Sequence, residues 1–161
     1  MSQAALRERV PRYLREHRVL TLATQGPQGP WAAAVFYAGD ERALVFLSSP
    51  SSRHAGDLAL QPRVAATVQE DYADWTAIKG VQIEGTASEL RGDDAALTQR
   101  LYGEKFPLVA NASAAPAAIA AALARVRWYR LVPDRLFFVD NAAGFGHREE
   151  LGLGALARPG A

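Results

Sequence analysis

The feature that most constrains the fold is a succession of short apolar segments punctuated by glycine and proline. VLTLAT (19–24) reads as a strand, QGPQGP (25–30) as a turn and WAAAVFY (31–37) as the partner strand. A second turn over 38–42 feeds ALVFL (43–47), and RVAATVQ (63–69) follows. A long extended stretch then runs from Trp75 to Leu90, with Gly80 and Gly85 placed for a bulge or a close backbone approach. VRWYRLV (126–132) and RLFFVD (135–140) close the series across a Pro133-Asp134 turn. Strands at such short spacing predict a mainly β barrel with helices at its periphery.

The helices are sparser. Leu6, Val10 and Leu14 recur at helical spacing, so a helix is expected over about 2–18. Asp93 or Asp94 is placed to cap a helix running to Lys105, and Pro116 to sit in the first turn of another built on the alanine-rich segment. At 161 residues the chain is expected to be one domain, ending in a short tail over about 150–161.

Composition removes several classes of function. With no cysteine, disulfides, thiol catalysis and zinc-finger chemistry are excluded, and the three histidines, His17, His54 and His147, have no metal-ligand spacing. The net charge is +1, and the 16 arginines among 18 basic residues are scattered, so no nucleic-acid partner is expected. Arg7, Arg9, Arg12, Arg15 and Arg18 lie along the first helix, interleaved with Glu8 and Glu16 in the manner of a solvated face. No apolar run approaches the ~20 residues of a membrane span, and charges occupy the place of a signal peptide's apolar region. A cytoplasmic protein without membrane contact is expected.

The segment SSPSSRHAGDL (48–58) concentrates hydroxyls, an arginine and a histidine after a strand. Ser51 or Ser52 can cap a helix with Ala55, Leu58 and Ala59 inward and Gln61-Pro62 at its end. Alternatively, backbone N–H groups at a helix start, serine hydroxyls and a guanidinium are what hold a phosphate. Residues alone leave both readings open. Other motifs fail on context: GLGALA (152–157) has the spacing of a dinucleotide fingerprint but no following helix and strand, and neither a G-x-S-x-G elbow nor a P-loop occurs.

Taken in order, three segments resemble the pyridoxamine 5'-phosphate oxidase-like split barrels. ALVFLSSPSSRHAGDLALQPRVAATV (43–68) is similar to their flavin-binding stretch of strand, polar turn ending Ser-Arg-Lys, helix and Asn-Pro-Arg-Val strand. IKGVQIEGTA (78–87) looks like a second family strand, and WYRLVPDRLFF (128–138) like the closing Arg-Leu-x-Pro-Asp-Arg hairpin. The resemblance runs over about 18–148 and rests on the order of its motifs. It implies an FMN-binding split β-barrel, with FMN between the subunits of a homodimer. Carried over by position, Ser48, Ser52, Arg53 and His54 are the implied phosphate ligands, with His54 where the family has lysine, and Leu47 and Ser49 are also at the cofactor. Ala33, Ala34, Val35 and Phe36 face the ring, with Lys79 and Gly80 also at the cofactor.

Departures from the family pattern narrow the activity that the resemblance implies. Ala32 stands for the family's leading phosphate arginine, Tyr37 for a substrate-side lysine, Gly80 for a flavin-contacting glutamine and Val139 for a ring-stacking tryptophan. FGHRE (145–149) keeps His147 of the substrate-gripping Arg-Leu-His-x-Arg but neither arginine, and Arg148, one position away, is expected to point elsewhere. Pyridoxamine 5'-phosphate oxidation is therefore not expected, and the ending resembles an uncharacterised bacterial branch. The implied function is an FMN-dependent oxidoreductase on a small molecule, with Tyr37 and His147 as substrate contacts and no catalytic side chain assigned. The alternatives are a non-catalytic flavin binder and a haem-handling protein, in which His17 or His147 would be the axial ligand.

Overall fold

The computed structural model describes residues 1–153. The first helix, α1 (Gln3–Glu16), is capped by Ser2, whose Oγ accepts the Ala5 N–H at 3.2 Å. Its Leu6, Val10 and Leu14 are fully buried in the barrel core, as their spacing predicts. The arginines of α1 are not all solvated. Arg7 donates to the Gly152 carbonyl and Arg9 pairs with the buried Asp140 at 2.9 Å, fastening the helix to the barrel.

Seven strands follow: β1 (Val19–Gly26), β2 (Gly29–Gly39), β3 (Leu44–Ser48), β4 (Arg63–Gln69), β5 (Lys79–Leu90), β6 (Arg127–Asp140) and β7 (Arg148–Leu151). Their order is β3-β2-β1-β4-β5-β6, and a β3–β6 pairing closes six antiparallel strands into a split barrel, with β7 added beside β6. Closure leaves an interior filled by Leu20, Leu22, Phe46, Val68, Ile83 and Leu131. Helix α2 (Arg53–Leu60) joins β3 to β4. Between β5 and β6 lie α3 (Gly92–Lys105), α4 (Pro107–Ala110) and α5 (Ala117–Leu123), an excursion whose first part packs on the β2, β3 and β6 strands. Among the described residues no helix is long and apolar enough to cross a membrane.

Several expectations are corrected. Pro133-Asp134 is not a turn: both halves of β6 pair with the same strand β5, and the register passes from Glu84↔Arg135 to Gly85↔Pro133, leaving Asp134 as the extra residue of a bulge. Proline costs no ladder bond at such a point, because the pairing is already interrupted there. Gly85 is where the bend needs glycine, since a Cβ would lie 2.4 Å from the Val132 carbonyl oxygen. Trp75–Ala77 is a 3-10 turn capped by Asp74 rather than the start of the extended stretch. Helix α3 begins after Arg91 with no side-chain cap, and Asp93 and Asp94 stand in its first turn, where they favour the dipole. Pro116 occupies the N-cap of α5. The expected tail loses Glu150 and Leu151 to β7. The rest of the GLGALA motif beyond Leu153 lies outside the described residues.

Candidate functional site

The polar turn links β3 to α2. Ser52 is the N-cap of α2: its Oγ accepts the Ala55 N–H at 3.3 Å and donates to the Ser49 carbonyl at 2.8 Å. The inward face of α2 is His54, Ala55, Asp57 and Leu58, whereas Ala59 is exposed. Asp57 is buried and accepts the Thr24 hydroxyl at 2.8 Å. Gly26 leaves the space for it, because a Cβ there would stand 1.8 Å from the Asp57 Oδ1. Capping does not exhaust the donors of this turn. Among the described residues the backbone N–H groups of Arg53 and His54 have no hydrogen-bond acceptor.

Arg53 lies over the Trp31 ring, 4.6 Å from its centroid, and its Nη2 donates to the carbonyls of Gln28 at 3.1 Å and Gly29 at 3.3 Å. Its Nε is buried and unpartnered. His54 is buried, with Nε2 on the Ser48 hydroxyl and, at 3.2 Å, near that of Ser52. Burial lowers its pKa below 6.5, with Asp57 opposing the shift, so the imidazole is held toward its neutral form. Ser48 is buried beneath the turn, while Ser49 is exposed and shares a hydrogen bond with Ser51 at 2.8 Å.

The strand expected to face the ring presents two faces. Ala34 and Phe36 point outward with Ala32, Val35 is buried, and Ala33 is intermediate. The expectation for Tyr37 is corrected: it is fully buried and donates its hydroxyl to the Leu14 carbonyl at 2.6 Å, so it is a core residue rather than a substrate contact. Burial pushes its phenol well above 10.0.

Outside the barrel, Ala34, Thr21, Thr67, Gln82 and Phe137 stand opposite one another in one row across β2, β1, β4, β5 and β6. The small residues of that row leave a trough. It contains a 440 Å³ cavity whose lining includes Thr21, Ala23, Phe137 and Arg148, and a 340 Å³ cavity that shares Thr67 and Gln82 with it and includes Lys79, Gly80 and Val139. Of the expected cofactor residues only Lys79 and Gly80 line these cavities; Ala34 borders the trough through the cross-strand row, and the polar turn stands apart from it, so one chain holds the expected residues in separate groups. Arg148 is the residue that sequence reasoning misplaced. It stands opposite Val139 on β7, rests 4.9 Å from the Phe137 ring centroid and donates to the Gln82 Oε1 at 3.4 Å. Nothing local announced this, because the start of β7 sets the alternation.

The other two histidines are engaged. His147 pairs with Glu149 through Nε2, and its main chain closes the turn through Gly144 and Asp140. His17 stacks on Tyr13 with ring centroids 3.8 Å apart, and its two nitrogens contact the Tyr13 carbonyl and Glu70 Oε1, both at 2.7 Å. Among the described residues no cluster of three or more side chains is arranged to hold a metal ion.

Comparison with known proteins agrees with this architecture. A family model described as pyridoxamine 5'-phosphate oxidase matches residues 6–140. A UPF0306 protein of Yersinia pseudotuberculosis is 32% identical over 141 residues, covering 86% of this chain and 88% of the relative. Among solved structures, the fold is similar to that of HutZ, a heme storage protein from Vibrio cholerae, with a TM-score of 0.65 at 23% identity over 81% of this chain and 92% of that one. It is also similar to that of a FAD-binding protein from Mesorhizobium loti, with a TM-score of 0.60 at 21% identity over 79% and 88%. A match across the whole barrel, with the strand order that closes it, places the chain in the pyridoxamine 5'-phosphate oxidase family.

Proposed function

We propose that the chain is a cytoplasmic homodimer that binds FMN between its subunits and acts as an oxidoreductase on a small molecule other than pyridoxamine 5'-phosphate. The observation that carries this reading is a polar turn whose first two α2 N–H groups, those of Arg53 and His54, are unpartnered, in a residue pair that also carries the orphaned Arg53 Nε. A phosphate oxygen satisfies such donors with charge-assisted bonds and gains from the α2 dipole. The exposed Ser49 hydroxyl supplies a further donor at the same turn, and the buried Ser48–His54 pair stiffens it from below. Flavin, when bound, supplies the electron transfer. This chain's part is to anchor the phosphate, admit a planar ring against the small residues of the trough, and shield it from water. The division of the expected residues between polar turn and trough supports a site completed by two copies.

The likeness to HutZ favours a second reading, haem handling. His17 and His147 weigh against it, since each has its Nε2 on a carboxylate and an axial ligand needs that nitrogen free. The absorption spectrum of the purified protein separates a flavin from a haem. Titration with FMN and riboflavin tests the phosphate turn. Arg53→Ala is expected to weaken FMN by about tenfold to a hundredfold, the worth of a charged hydrogen bond of ~1.5–3 kcal/mol, and riboflavin far less. Equal losses for both ligands, or none for either, would remove the phosphate assignment.

A further inference from the structure

One further cavity belongs to neither group of expected cofactor residues. It has a volume of 690 Å³ and lies between α3 and the β2–β3 connection. One wall is apolar, formed by Ala38 and Val45 from the barrel and by Leu97 and Leu101, one turn apart on α3. Those leucines are 50% and 51% exposed, so α3 leaves apolar surface facing an open space.

The rest of the lining is rich in cations. Arg130, on β6 opposite Val45, contributes its side chain, and its Nε is buried without an acceptor. Arg15 from α1 lines the same cavity, and among the described residues neither arginine pairs with a carboxylate. Lys105 is held by the Leu14 carbonyl at 3.3 Å and by that of His17. The acids of the lining are occupied or wet: Asp40 accepts the Arg42 N–H at 3.0 Å, and Asp94 and Glu104 are exposed on α3. The cavity therefore presents two guanidinium groups without a carboxylate partner among the described residues, and an anion entering it would supply one.

We propose that this cavity is a second ligand site, for an amphipathic monoanion whose carboxylate meets Arg130 and Arg15 and whose aliphatic chain lies against Leu97, Leu101 and Val45. The volume is of the size that accepts such a molecule whole. The site shares no lining residue with the trough, so the proposal stands independently of the flavin reading.

The test is calorimetric titration of the full chain with octanoate and with octan-1-ol, in the presence and absence of FMN. Octanoate is expected to bind at least about tenfold more tightly than the alcohol, because only the anion engages the arginines. Arg130→Gln should weaken octanoate by about tenfold or more and leave the alcohol unchanged. Arg15→Gln, on an exposed helix position, should act in the same direction without touching the barrel seam. Amide shifts on octanoate addition should fall on α3 around Leu97 and Leu101. Octan-1-ol binding as tightly as octanoate, octanoate unaffected by both substitutions, shifts confined to the trough, or no binding at millimolar concentration would each overturn the proposal.

Discussion

Lys105 is one of only two lysines in the chain, and its surroundings make it the most informative titrating residue. Burial, with Arg18 adding repulsion, brings its ammonium from 10.5 down to about 8. Both carbonyl contacts survive deprotonation, since a neutral amine still has two N–H groups. Between about 8 and the ordinary lysine value the unfolded chain binds more protons than the folded one, so stability rises with pH over that window. The rise stops near 10.0, where tyrosines ionise in the unfolded chain while burial keeps Tyr37 and Tyr102 protonated in the fold. Urea unfolding from pH about 8 to about 10 should show the positive slope in the parent, and Lys105→Met should flatten it. A parent slope that is flat or negative would mean the lysine is better solvated than its contacts imply. Residue identity announced none of this, because in sequence Lys105 is only the residue to which the helix after Asp93 and Asp94 runs. Tyr37 and Arg148 differ from their sequence reading in opposite directions. A polar tip that reads as a substrate contact lies in the core, while a cation that reads as pointing away lies in the trough.

At the scale of elements, hydrophobic period and turn residues located nearly every strand. RVAATVQ is a strand over the predicted residues, and the β1–β2 hairpin falls within the expected turn, narrowed to Pro27-Gln28 because the strands pair as far as Gly26 and Gly29. Local chemistry failed at Pro133-Asp134, since a turn and a bulge begin with the same residues and differ only in whether one partner strand continues past them. Gly85 and Gly56 test the bulge as a tight contact. Gly85→Ala should cost ~1–3 kcal/mol, because the added methyl meets the Val132 carbonyl and Leu131 at the bend. Gly56→Ala, in α2 with nothing within 4 Å of the new Cβ, should stabilise by about 0.5–1 kcal/mol. Chemical denaturation of the pair measures both signs together. Two substitutions of equal effect would refute the close approach at Gly85.

For the whole molecule, the question is what covers the trough and Phe36, which is 58% exposed on the outer face of β2. Under the homodimer reading, sedimentation velocity at micromolar concentration gives a dimer. Ala34→Arg, an exposed position at the β2 end of the cross-strand row, should shift it toward monomer and weaken FMN without lowering the melting temperature of the barrel. A stable monomer that binds FMN tightly would overturn the interface. The sequence by itself determined most of the barrel's strands, the Ser52 cap of α2, the absence of thiol chemistry, and the family, because periodicity, a capping serine and ordered motifs are local properties of the chain. Tertiary structure decided which face each alternating residue took, that β6 runs unbroken through its proline, that Arg53 and Asp57 clamp α2 to the first hairpin, and that Arg130 borders an apolar cavity. Those outcomes depend on pairing register and on contacts between distant segments, and a shift of one residue in register would reverse every one of the faces.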